Sequence, residues 1–140
     1  MIEVTCALII KDKRVLIAQN NSGSDHAFQW EFPGGKIHLD ESPRSCIIRE
    51  IKEELEVRIV VEKELIAVEH DYGIKKIRLI PFLSTIESGS VQLSEHLAFE
   101  WVNYEELLNA NLSEADLQLI LLPENQKMLK EYIGEEVNNS

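Results

Sequence analysis

One helix, marked at its start and striped along its length, most constrains what this chain can fold into. Ser42-Pro43 offers a capping hydroxyl followed by a proline at the first helical position, where a missing N–H is no loss. Ile47, Ile48, Ile51 and Leu55 then recur at helical spacing, which predicts a buried stripe and an end near Leu55. At 100° per residue, Glu50, Glu53 and Glu54 share one sector, while Ile48, Ile51 and Leu55 point away from it. Neighbouring carboxylates repel, so a cluster of this kind calls for compensation. For any three helical glutamates taken alone, a solvated acidic face is the usual explanation.

Around this helix the chain alternates short strands, turns and helices. Glu3 to Ile10 and Val15 to Gln19 read as strands joined by the polar turn Lys11-Asp12-Lys13, a hairpin. Asn20 to Asp25 is a loop, and Trp30-Glu31-Phe32 is extended up to Pro33-Gly34-Gly35. Arg58 to Glu69 and Lys75 to Thr85 are strand-like, paired through an Asp71-Tyr72-Gly73 turn, and Leu97 to Val102 is a further short strand. Three short helices follow, near Tyr104 to Asn109, Ser113 to Leu121 and Pro123 to Ile133, with a frayed tail over Gly134 to Ser140. The pattern predicts one α/β (α+β) domain spanning residues 1–140, built on a mixed sheet.

The net charge of -11 sets the body against duplex DNA and anionic membranes, so neither a nucleic-acid polymer nor a membrane is an expected partner. Met1 to Ile10 lacks the basic region and cleavage site of a signal peptide, and Cys6 and Cys46 sit in apolar stretches without metal-ligand spacing. Both cysteines are read as small buried hydrophobes, and the expected compartment is the cytoplasm. The same acidity repels a free nucleotide, which therefore needs a bound cation or local basic residues. Hard divalent cations take oxygen ligands, so the glutamate cluster makes sense as a platform for Mg²⁺ or Mn²⁺. Arg49 can pair with Glu53 four residues on and hold it in place. The paired glycines before the helix let backbone approach a ligand closely.

Taken together, Gly35, Glu41, Arg49-Glu50-Ile51, Glu53-Glu54 and Glu56-Val57 resemble the signature of the Nudix hydrolases. The family pattern has glycine where this chain has Glu56, at the helix exit, where glycine eases a left-handed turn. The resemblance runs from Ile2 to about Leu121. Trp30 to Ile37 looks like the matching segment of the MutT-type branch. Glu95-His96 through Trp101, Glu105-Glu106-Leu107 and Leu112 to Asp116 are similar to bacterial CTP pyrophosphohydrolases.

The resemblance implies a mixed sheet sandwiched between helices, and an enzyme that cleaves a nucleoside triphosphate to a monophosphate and pyrophosphate. It implies Glu50, Glu53 and Glu54 with the Gly35 carbonyl as metal ligands, Glu53 or Glu54 as candidate base, and Glu95 as a further ligand or the base. Arg49 joins them in the catalytic set. Lys36 and Lys75 are placed near phosphate or base, Phe32 and Trp30 could stack on the base or belong to the core, and Asp116 stands where relatives read the base with an asparagine. At Asn20 relatives commonly carry a phosphate-binding arginine that this chain lacks. His26, His38, His70 and His96 have no paired spacing and are read as surface or packing residues. The substrate is expected to be a small nucleotide, an oxidised guanine nucleotide such as 8-oxo-dGTP or CTP/dCTP, and the protein a monomer or homodimer. The alternatives are another diphosphate-linked nucleotide (a nucleotide sugar or dinucleoside polyphosphate), a non-catalytic nucleotide sensor, and an acidic surface for a basic partner.

Overall fold

The centre of the molecule is a strand buried on both faces, because nearly every residue from Thr5 to Ile10 is apolar or small. A computed structural model describes residues 1–21, 23 and 26–134. Along the chain run β1 (Ile2–Lys11), β2 (Arg14–Gln19), β3 (Trp30–Glu31), β4 (Gly34–Lys36), α1 (Pro43–Leu55), β5 (Arg58–Glu64), β6 (Val68–Asp71), β7 (Lys76–Ser88), β8 (Ala98–Val102), α2 (Tyr104–Asn109), α3 (Glu114–Leu121) and α4 (Pro123–Lys130).

β1 pairs in parallel with β7 and antiparallel with β2 and β4. The main sheet order is β3-β2-β1-β7-β5, with β8 on β2 and β6 on β7. The β1–β2 turn is the expected one, and Asp12 and Lys13 both take positive φ (52° and 62°), as a tight two-residue hairpin requires. Alternation along β1 sends Cys6, Leu8 and Ile10 into one core and Ala7 and Ile9 into the other. The first core is closed by Tyr104, Leu107, Leu119 and Leu129 of α2 to α4, the second by Ile47, Ile51 and Leu55 of α1. The sheet is therefore sandwiched between helices, as expected.

Three expectations are corrected. The stretch Arg58 to Glu69 is two strands, because after Leu65, whose N–H still reaches the Pro81 carbonyl, the backbone leaves the ladder at Ile66, which is instead bonded by the Asn125 side chain. The last helix stops at Lys130 rather than Ile133. Gly34–Lys36, expected as a bend alone, is a strand registered on Val4 to Cys6. The expected frayed tail falls mostly on residues 135–140, which lie outside the described residues.

α1 begins as its sequence requires: Ser42 accepts a hydrogen bond from the Ser45 N–H at 3.1 Å, and Pro43 follows. Its buried stripe is Cys46, Ile47, Ile51 and Leu55, with Ile48 only half-buried at the margin. Truncating Ile51 to alanine would cost about 2–5 kcal/mol by the usual cavity cost. At the exit Glu56 takes the left-handed conformation (φ 58°, ψ 30°), and its N–H reaches the Lys52 carbonyl at 3.1 Å. A residue with a Cβ is strained there. Glu56→Gly is expected to stabilise the fold by about 1 kcal/mol. Thermal unfolding measures this, and an unchanged or lower midpoint would show that the exit carries no such strain.

Candidate active site

The site is built where β4 presses its glycines against two neighbours. A Cβ on Gly34 would overlap the Thr5 carbonyl of β1, and one on Gly35 would overlap the Glu50 carboxylate of α1. At Gly34 the clash is with backbone, so only glycine lets β4 lie this close to β1, whereas at Gly35 a side chain would push the Glu50 carboxylate aside. The Gly35 carbonyl accepts from the Thr5 hydroxyl at 3.1 Å.

Beside this contact Arg49 gathers carboxylates. Its Nε and Nη2 donate to the two oxygens of Glu41 at 2.6 and 2.9 Å, and its Nη1 donates to Glu50 at 3.0 Å and Glu53 at 3.1 Å. Nη2 also reaches the Lys36 carbonyl at 3.3 Å. The Arg49–Glu53 pair expected from the sequence is present, and Glu41 is its stronger, two-pronged partner. The guanidinium hydrogen bond, with the His38 N–H, lowers the Glu41 pKa to about 2. The acids of α1 do not share one environment: the Glu53 side chain is 59% exposed and that of Glu50 15%.

Glu54 is turned inward. Burial raises its pKa to about 8, with His96 and the Gly34 backbone opposing and Glu50 and Glu31 adding to the rise. Its Oε1 is buried and has no hydrogen-bond partner among the described residues. Glu95 is carried opposite by a loop pinned to the end of α1: the Gln92 N–H donates to the Leu55 carbonyl at 2.9 Å and the Ser94 N–H to the Glu54 carbonyl at 3.2 Å. These bonds use carbonyls that a helix end leaves open. Glu54, Glu95, His96, Glu31 and Asn20 line an open cavity of about 740 Å³.

His96 is not a surface residue. Its side chain is 7% exposed, and its Nε2 donates to Glu31 at 2.9 Å. Burial opposes its charge, but the Glu31 hydrogen bond and the charges of Glu31, Glu54 and Glu95 raise its pKa on balance. Asn20, in place of an arginine, donates to the other oxygen of Glu31 at 3.3 Å. No spacing rule points to His96; its partner Glu31 is far away in sequence and meets it only through pairing of β2 with both β3 and β8.

A second, narrower cavity of about 260 Å³ lies on the other side of Glu31 and the glycines. Phe32, Lys36, Lys75 and Asp116, all expected near substrate, line it, while Trp30 does not. Phe32 is at once buried core and cavity wall. Tyr72 and His26 also line it, their rings 5.0 Å apart, and both escaped the sequence reading because a turn and a loop carry them. Asp116 is 4% exposed and accepts from the Phe32 N–H at 2.8 Å. Burial and the charge of Glu31 raise its pKa to about 7, against the bonds from Phe32 and Ser113.

Among the described residues, no three acidic, histidine or cysteine side chains stand together as a formed metal site. The donor set nevertheless fits a hard divalent cation: it is oxygen-rich, and it includes a buried carboxylate oxygen without a partner.

A sheet between helices, a diglycine strand on a glutamate helix and an arginine holding its carboxylates together define a Nudix site. The NUDIX domain family model matches residues 1–122, and the chain belongs to that family. It is 37% identical over 120 residues to the CTP pyrophosphohydrolase of Escherichia coli (strain K12), covering 86% of this chain and 89% of that one. It is 27% identical over 117 residues to the 8-oxo-dGTP diphosphatase of Buchnera aphidicola, covering 84% and 88%. The crystal structure of a MutT protein from Methanosarcina mazei Go1 superposes with a TM-score of 0.79 at 27% identity over 93% of each chain. Nudix hydrolases generally use divalent metal ions. No helix among the described residues is long and apolar enough to cross a membrane.

The raised pKa of Asp116 has a definite sign in stability. Ionisation is harder in the folded chain than in the unfolded one, where the ordinary value is 3.8. Its stabilising contribution is full below that value and is lost as pH rises through about 7. Relative to wild type, Asp116→Asn is expected to gain stability between pH 4 and 8, on the order of 4 kcal/mol at most. Denaturant melts of the two proteins across that range measure it; parallel curves would mean that Asp116 ionises freely in the fold.

Proposed function

We propose that this protein hydrolyses a nucleoside triphosphate to the monophosphate and pyrophosphate, using Mg²⁺ or Mn²⁺. The observation that carries the reading is the shared wall. Glu31 lies in both cavities, and Gly34 to Lys36 forms one side of the narrower cavity while touching the acids of α1. A base held in the narrower cavity would thus extend its phosphates toward the carboxylates.

Asp116 reads the base: held by bonds from the Phe32 N–H and Ser113, its carboxyl keeps further lone pairs for a base amino group or ring N–H of guanine or cytosine. Lys36 and Lys75 meet phosphate oxygens as point charges and take up part of the role of the arginine missing at Asn20. Glu50, Glu53, Glu54 and Glu95, with the Gly35 carbonyl, would hold the metal. Bound there, a divalent cation offsets phosphate charge and makes water more acidic. Arg49 orients Glu50 and Glu53, and the attacking water loses its proton to one of Glu53, Glu54 or Glu95 while the bond between phosphorus and the pyrophosphate oxygen breaks.

The deciding assay is a panel of nucleotides with Mg²⁺ and detection of pyrophosphate, with CTP, dCTP and 8-oxo-dGTP expected as substrates. Turnover of ADP-ribose with no triphosphate cleaved would overturn the reading. Glu53→Gln and Glu54→Gln should each lower kcat by about 10² or more, while the metal-free melting midpoint near pH 7 stays nearly unchanged in Glu53→Gln and rises in Glu54→Gln, which removes an ionisable group that the fold disfavours in its charged form. Gly35→Ala, whose methyl group displaces Glu50, should cost about 100-fold in kcat. Wild-type turnover in these variants would remove the carboxylates from the mechanism.

A further inference from the structure

The geometry points to His70 as a positioning residue that sets the width, and so the base preference, of the narrower cavity; this rests on the reading that the cavity takes a nucleobase. His70 sits on β6 with its side chain 18% exposed, and it joins the two elements that face each other across the cavity. Its Nε2 stands 3.0 Å from Glu114 Oε2 and its Nδ1 2.9 Å from Gln118 Oε1, so one ring spans a full turn of α3. The Gln118 amide is itself oriented, since its Nε2 donates to the Glu69 carbonyl of β6 at 3.2 Å. The edge of the same imidazole packs on Tyr72, with centroids 4.4 Å apart. Tyr72 is in turn tied to α3, where its hydroxyl accepts from the Ala115 N–H at 3.4 Å.

Tyr72 and Asp116 both line the cavity, and Asp116 sits on α3 between the two residues that His70 grips. α3 lacks a side-chain cap at Ser113, and its first turn is held laterally: on one side by Trp30 and Phe32, which bond Ser113 and Asp116, and on the other by His70 and Tyr72. His70 therefore couples the aromatic wall to the helix that carries the base-reading carboxyl, on the side of α3 opposed to the bond that Phe32 makes to Asp116. His70 touches no reacting atom. Its loss should loosen the fit of the base and leave the bond-breaking step intact.

The test compares wild type, His70→Ala, Glu114→Ala and Glu114→Gln, with kcat and KM for CTP and 8-oxo-dGTP and calorimetric affinities for CMP and dGMP. His70→Ala should raise KM about five- to tenfold with kcat nearly unchanged, and weaken the monophosphates in step. The ratio of kcat/KM between the two triphosphates should move at least about threefold, because purine and pyrimidine differ in the width they need. Glu114→Ala should follow in the same direction, and Glu114→Gln, which keeps an acceptor for Nε2, should restore wild-type behaviour. A role confined to stability would lower the melting midpoint and leave KM and the ratio where they were; that result overturns the proposal. If wild type cleaves no triphosphate, the hydrolase reading fails, yet the CMP and dGMP affinities still report on His70. No monophosphate binding, or binding equal in wild type and His70→Ala, overturns the inference itself.

Discussion

The close approach of β4 to β1 and α1 is the contact on which the rest of the site depends. Gly34 lies so near the Thr5 carbonyl that it has no room for a side chain, and a side chain on Gly35 would take the place of the Glu50 carboxylate. The backbone of Gly34 and Gly35 thus lines the narrower cavity and, at Gly35, also meets the Glu50 carboxylate of α1. The same approach brings the Lys36 carbonyl within reach of Arg49 and the Gly35 carbonyl onto Thr5. A three-residue strand held in this way is short but rigid, since its partner β1 is buried on both faces.

Charge balance explains why the acids of α1 tolerate one another. Arg49 makes hydrogen-bonded ion pairs to Glu41, Glu50 and Glu53, so a single guanidinium offsets most of the repulsion expected along the helix. Its planar fork suits the two-oxygen contact with Glu41 in a way that a lysine ammonium could not match. Glu54 lies beyond this arrangement. It is shielded from water, faces Glu50 and Glu31, and has one oxygen without a partner, so its charged form is disfavoured in the protein alone. The acidic surplus of the chain is thus concentrated where a cation has most to stabilise.

What could be read from the sequence was local. The cap at Ser42, the stripe ending in Leu55 and the Arg49–Glu53 pair are all set within one helix, and each appears in the fold. Glu56 at the left-handed exit was legible for the same reason. The strand at Gly34–Lys36 was not, because its ladder is made with residues 30 positions earlier and two glycines carry no strand signal of their own. The glutamates differ in exposure, Glu53 standing 59% exposed beside Arg49 and Glu54 turned inward at the helix end over which the loop of Gln92 and Ser94 folds. Tyr72, His26 and His96 acquire their places only through strand pairing and loop packing. No period or spacing in the sequence marks them.

Glu31 links the two halves of the site electrostatically. It lines both cavities, and its charge contributes to the raised pKa of Glu54 on one side and of Asp116 on the other. Two buried acids near a third would ordinarily be an expensive arrangement. Here His96 stands against Glu31 and offsets its charge, Asn20 bonds its second oxygen, and the backbone N–H of Phe32 supports Asp116.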